Sequence, residues 1–248
     1  MESRASARVG RFGVSPVVLI LGFLVVAGIA AYFGHLAQEK RRGEMRALAS
    51  SLGCSFHADD DGRGSAHEHF DVFDQGHSRR FYNTMTGSVT VGDDTYSVRG
   101  GDFLYKVTSG AGKNRRTHTY RFSYWVVHLA WPTCPAVRIR PENLFDKLAG
   151  ALGFDDIDFE SEEFSRRFHV KSNDKKFAYD LIDPRMMEFL LPRLTTTLEL
   201  EHGKLLLATG SDTWTGEQFK RQLAFAGEFL KRWPEHLVAR LDAGAPHA

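Results

Sequence analysis

The chain is poor in the residues and patterns that most often mark chemistry. It holds two cysteines, Cys54 and Cys134, in 248 residues, which excludes a disulfide-dense scaffold and a multi-thiolate metal site. No serine lies in G-x-S-x-G, and neither H-E-x-x-H nor C-x-x-C occurs. The common nucleophile, metalloprotease and redox signatures are therefore missing. Charge of either sign is not in excess: the net charge is +1, and no long basic run stands outside the first 46 residues. Nothing draws such a chain to nucleic acid. No cofactor motif is present either, and none is expected.

One segment departs from this ordinary composition. From Val14 to Gly34 the chain reads "VSPVVLILGFLVVAGIAAYFG", without a charge. At about 1.5 Å per residue, a helix of that length spans a hydrocarbon core of about 30 Å. Pro16 falls in the first turn, where its missing N–H costs nothing. Tyr32 and Phe33 fall at the far end, where aromatic rings favour the interface. A cleaved signal peptide is the rival reading, with Arg4, Arg8 and Arg11 as its n-region and Gly28-Ile29-Ala30 as its cleavage site. The apolar run exceeds an h-region of about 7–15 residues, so an uncleaved single-pass anchor in the cell membrane is expected. Lys40, Arg41, Arg42 and Arg46 follow the helix, against three arginines before it. The positive-inside rule then puts the globular part on the cytoplasmic side, although a Cys54–Cys134 disulfide on the other side stays open.

The period of the pattern divides the remainder. Residues 1–13 are a basic tail, 14–34 the membrane helix, and 35–53 a basic amphipathic juxtamembrane helix. There Met45, Leu48 and Leu52 share a face and Gly53 is the C-cap. Residues 54–138 read as β-rich. "FDVFD" and "RRFYNTMTG" alternate like a hairpin, with Asn83 and Gly87 serving turns; "TYSVRGGDFLYKV" and "THTYRFSYWVVHLAW" are stronger strands, and "AVRIRPE" a short one. Residues 139–243 mix both periods. A helix is expected over "PENLFDKLAGALG", facing Leu144, Phe145 and Leu148 inward, and another over "DPRMMEFLL" with Asp183 as N-cap. "DIDFESEEF" alternates as a strand, and "FSRRFHV" with "KKFAYDLI" reads as a hairpin about "KSND". "TTLELEHGKLLLAT" is a hairpin turning at His202-Gly203. Thr215 and Gln218 form a capping box before a last helix carrying Phe219, Leu223, Ala226, Phe229 and Leu230. Residues 244–248 are a tail. The class is α+β: an antiparallel sheet with a few packed helices behind one transmembrane helix.

Candidate chemistry is concentrated in "HEHFDVFDQGHSRRFYNTMTG", His67 to Gly87. His57, His67, His69 and His77 lie close in sequence beside Asp59, Asp60 and Asp61, ligand types suited to zinc or another divalent ion. Their spacing is irregular, and a polar loop explains the same residues. "SGAGKNRRTH" has Gly112-Lys113 but lacks the earlier glycine and following Ser or Thr of a P-loop. It leaves a basic hairpin tip. Lys113, Arg115 and Arg116 there, with Lys40, Arg41 and Arg42 on the stem, are candidates for lipid head groups or phosphates. "DDIDFESEE" does not fit a calcium loop, because Ser161 and Arg167 stand where glycine and glutamate are required.

Four segments in order, "FDVFDQGHSRRFYNTMTG", "GAGKNRRTHTYRFSYWVVHL", "RIRPENLFDKLAGALGFDDIDFESEEFSRRFHVKSNDKKFAYDLIDPRMMEFLL" and "LELEHGKLLLAT", resemble a family of bacterial membrane-anchored proteins with a single N-terminal hydrophobic helix, a basic juxtamembrane helix and this domain. The likeness runs from about Arg42 to Trp233 and is strongest over "RPE" and "DIDFE…FS". The family has no assigned activity, cofactor or catalytic residue, so the resemblance implies architecture alone. A non-catalytic module that binds a protein partner at the membrane surface is the first expectation. A membrane-tethered metal-dependent hydrolase and an anionic-lipid-binding module are the alternatives.

Overall fold

The computed structural model describes residues 16–142 and 155–244. Residues 1–13 and 245–248 of the expected tails lie outside the described residues, as does the helix expected over residues 141–153 from 143 onward; its first residue, Pro141, ends a strand, and Gly244 ends a helix. The chain divides into two compact units, residues 1–43 and 44–248.

Helix α1, Pro16–Ser51, is continuous. It is long and apolar enough to cross a membrane. The side chains of Val17 and of Leu19 through Phe33, including Leu21, Phe23 and Val26, are exposed, as a lipid-facing surface would be. Its last turns belong to the second unit, where Met45, Leu48 and Ala49 are buried. Gly53 closes the helix at φ 69°, a conformation that glycine adopts without cost.

The second unit is built on an antiparallel sheet of nine strands among the described residues, ordered β1-β2-β3-β4-β9-β8-β5-β7-β6. The strands are β1 (Ser55–His57), β2 (His77–Val91), β3 (Asp94–Ser109), β4 (Arg116–His128), β5 (Val137–Pro141), β6 (Asp155–Asp156), β7 (Phe168–Ser172), β8 (Thr197–Glu201) and β9 (Lys204–Ala208). Residues from both the β-rich and the mixed parts of the sequence thus share one sheet. Alternation along β4 separates two cores. Trp125 and Val127 join a large apolar cluster, whereas Phe122, Tyr124 and Val126 join an aromatic one with Phe103, Tyr105, Phe73 and Phe81.

Helices cover the first face. α3 (Lys175–Leu181), α4 (Pro184–Leu190), α5 (Gly216–Lys231) and α6 (Glu235–Gly244) bury Phe177, Leu181, Met186, Phe219, Phe229 and Leu237 there. α5 starts at the expected capping box of Thr215 and Gln218. The indole of Trp125 donates to the Phe219 carbonyl at 2.9 Å, tying β4 to α5. A Cβ on Gly100 would stand 2.3 Å from the Trp125 ring, so β3 needs glycine at that point.

Several expected strands are something else. "FDVFD" is a 3-10 turn over Asp71–Phe73, not half of a hairpin, and β2 pairs with β3. Phe70, Val72 and Phe73 all join the same aromatic cluster, whereas a strand would send Val72 and Phe73 to opposite faces. "KKFAYDLI" is α3, because the Asp174 carboxylate accepts from the Phe177 amide and buries Phe177, Ala178 and Leu181 on one side. Ser161 likewise caps α2 (Glu162–Arg167), so "FSRRFHV" is helix and then strand, and only Asp156 of "DIDFESEEF" lies in a strand, the short β6. Asn83 sits inside β2 at φ 49°, beside a register shift, and its amide donates to Asp102 at 3.0 Å. Gly87 is mid-strand, where a Cβ would approach the Cys54 Cα to 3.1 Å. Both cysteines are free thiols, so the open disulfide reading falls.

Candidate functional site

The second face of the sheet is covered by the histidine-rich segment, residues 58–76, and register explains how. Arg99 on β3 stands opposite Val126, Val126 opposite Leu206, Leu206 opposite Glu199, and Glu199 opposite Arg138 on β5. These five residues form one row across five neighbouring strands, on one face. The two arginines at its ends are therefore roughly 19 Å apart, at about 4.8 Å per strand spacing. Each holds one aspartate of the segment. Arg99 donates two bonds of 2.7 Å to Asp61, and Arg138 donates to Asp71 as well as to Glu199, the latter at 2.7 Å. Ten residues of extended chain would reach about 33–36 Å, so the segment has slack for its two 3-10 turns, Gly64–His67 and Asp71–Phe73. It is a strap, latched at both ends by buried charge. Between the latches Lys204 on β9 donates to the Ala66 carbonyl at 2.9 Å.

The electrostatics follow from this burial. The guanidinium of Arg99 holds the Asp61 carboxyl down to about 2. Burial pushes the Glu199 carboxyl up to about 7, against the pull of Arg138. One guanidinium serving two carboxylates is costly to bury, and a raised Glu199 relieves part of that cost.

Under the middle of the strap the next row of the sheet reads His128, Lys204, Glu201. The strap brings His67 and His69 onto it. The rings of His67 and His128 are 6.2 Å apart, and those of His69 and His202 are 4.9 Å apart, edge to face. Burial first, then the charge of Lys204, lowers His67 to about 3 and His69 to about 4, and depresses His128 as well. Lys204 is itself lowered by burial, and Glu201 is raised by it. These imidazoles are neutral near pH 7, the form that ligates metals. Beside them opens a cleft of about 550 Å³ lined by Arg63, His67, Thr86, Ser88, Ser97, Arg99, His128 and Lys204, among others.

Of the four histidines singled out in sequence, His67 and His69 are in this site. His57 is exposed on the edge strand β1, and His77 bonds the Ser78 and Thr108 hydroxyls at 3.0 and 2.9 Å at the start of β2. Lys113, Arg115 and Arg116 occupy the exposed β3–β4 tip, and Lys40, Arg41 and Arg42 lie on α1. Asp102 and His128 point to opposite faces of the sheet: Asp102 is paired with Ser123, and its carboxylate accepts from the Ser123 hydroxyl at 2.7 Å. Sequence reading missed Glu201, His202 and Lys204. The only signal for them was the turn "EHGK", whose flanking register determines what faces the strap.

A second concavity lies on the helix-covered side. It has a volume of about 750 Å³ and is lined by Phe189, Trp214, Phe225, Arg193, Arg221 and Arg232, among others. Phe189 and Phe225 stack at 5.3 Å, and the Arg232 guanidinium lies 4.3 Å from the Phe189 ring.

No protein-family profile matches the chain, and no curated protein does. Among solved structures the chain is similar to the mycobacterial trehalose monomycolate transport factor A, TtfA. The two are 13% identical over 78% of this chain and 96% of that one, with a TM-score of 0.47. A likeness at that level carries no function across.

Proposed function

We propose that this protein is a single-pass, membrane-anchored, non-catalytic module that binds an acidic, apolar segment of a partner protein. The groove of Phe189, Phe225 and Trp214, rimmed by Arg193, Arg221 and Arg232, carries this reading. Aromatic and arginine side chains together are the composition of interface hot spots. The rim holds three arginines against Asp212 and Glu228, so its surplus charge favours an acidic ligand. Helix α1 supports the anchor, and two free thiols fit a domain on the reducing, cytoplasmic side.

The test is site-specific photo-crosslinking in native membranes, with the reactive residue at Gln222 in the groove or at Thr117 in the exposed first residues of β4. A discrete adduct from Gln222 only, lost in Phe225→Asp and shown by sequencing to join an acidic segment, is the expected result. Equal labelling from both positions, or none, overturns the groove reading. Resistance to alkaline carbonate extraction is expected of the anchor; release, with a mature N-terminus near Ala31, contradicts it.

A further inference from the structure

The strap and the β8–β9 turn, more than 130 residues apart in sequence, bring three ligand-bearing side chains to one point. The donor atoms of His69, Glu201 and His202 all lie within 4.8 Å of one another. The Nε2 atom of His69 is buried and has no hydrogen-bond partner among the described residues, although an imidazole nitrogen withdrawn from water ordinarily finds one. Its ring is held instead against Phe70, with centroids 4.2 Å apart, and Phe70 is itself fully buried between the latches. The turn is equally specific. His202 stands at φ 47° and Gly203 at φ 67°, the paired left-handed geometry of a two-residue hairpin turn, which carries the His202 ring back beside Glu201, Nδ1 at 3.6 Å from the carboxylate.

We propose that His69, Glu201 and His202 form a binding site for a divalent transition metal, with zinc the best match. Two imidazole nitrogens and one carboxylate oxygen are a common three-ligand set for zinc, leaving a fourth position to water or an exogenous group. Imidazole-rich donors disfavour magnesium and calcium, which take oxygen. The ligands divide between the strap and the sheet, so the ion joins the cover to the face beneath it. Lys204, the cross-strand neighbour of Glu201, opposes a cation, but its ammonium is directed to the Ala66 carbonyl. The assignment revises the four-histidine expectation: it keeps His69, releases His57, His67 and His77, and adds a carboxylate and a turn histidine.

The experiment uses the full chain in detergent, without a polyhistidine tag and stripped of metal. Co²⁺ is titrated while its visible d–d absorption is followed, and Zn²⁺ is then added in competition. One equivalent of Co²⁺ with the intense bands of a four-coordinate ion, displaced by Zn²⁺, is expected. Glu201→Gln and His202→Asn should each weaken Co²⁺ binding by at least about 10–100-fold, the loss seen when even an outer-shell partner is removed. His57→Ala and His77→Ala should bind as the parent does. If His69→Ala fails to fold, the two turn variants decide the matter. No stoichiometric binding, or binding indifferent to Glu201→Gln and His202→Asn, overturns the site.

Discussion

The two faces of the sheet are closed by different physics. On one, helices α3 to α6 and the end of α1 lay down an apolar layer in which Trp125, Phe219, Phe229 and Met186 are fully enclosed. On the other, one irregular segment crosses the strands, with Phe70, Val72 and Phe73 inserted among aromatic rings and Asp61 and Asp71 fixed to buried arginines. Apolar cover is non-directional and tolerates repacking. An ion-pair latch demands one register, and it is severely weakened if either partner goes. The helical face is built for stability, while the strap face holds its polar groups in fixed positions beside a cleft.

The largest expected effects test that difference directly. Arg138→Ala leaves the buried Glu199 and the partly buried Asp71 without their cation and should cost about 3–5 kcal/mol in denaturant melts. Phe219→Ala on the opposite face should cost a similar amount, about 3–5 kcal/mol, through a cavity. The two losses separate on rescue. The triple change Arg138→Met, Asp71→Leu and Glu199→Met removes every charge of that latch and should recover most of the stability. Failure to recover would mean that geometry, and not charge compensation, was lost.

Next in size is the other latch. A double-mutant cycle with Asp61→Ala and Arg99→Ala should return a coupling of about 0.5–3 kcal/mol, the range of residues in one network. Its pH dependence has a definite sign. The folded carboxyl of Asp61 is held at about 2, below an unfolded value of about 3.9. The contribution is therefore present in full above about pH 4 and is lost as pH falls toward 2. Asp61→Asn should flatten that limb of the stability curve, and an unchanged acid limb would count against the latch. The smallest effect belongs to the helical face, where Thr215→Ala removes one half of a capping box and should cost about 1 kcal/mol.

What was legible in the sequence divides along the same line. Part of the helical face announced itself, because capping and 3.6-residue spacing are local: Asp183 and Thr215 start α4 and α5 as expected, and Phe219, Leu223, Ala226 and Phe229 are buried together, although α3 behind its Asp174 cap reads in sequence as a strand. The long strands and the "EHG" turn were equally local in their signals. The strap was not. "FDVFD" alternates convincingly in print, but its fate was decided by Arg138, 67 residues away, and by a sheet row that only strand order can assemble. His69 was noticed for its neighbours in sequence, whereas its neighbours in space, Glu201 and His202, come from a hairpin read for its turn alone.

Hydrogen–deuterium exchange on the full chain tests the central claim, that the histidine-rich segment is a latched cover and not a free loop. Amides of residues 67–76, such as those of Phe70 and Phe73, which donate to the carbonyls of His67 and Phe70, should be protected in the parent protein. In the variant Asp61→Ala with Asp71→Ala they should exchange at coil rates, while peptides from α5 keep their protection. Free exchange of this segment in the parent protein would contradict the account.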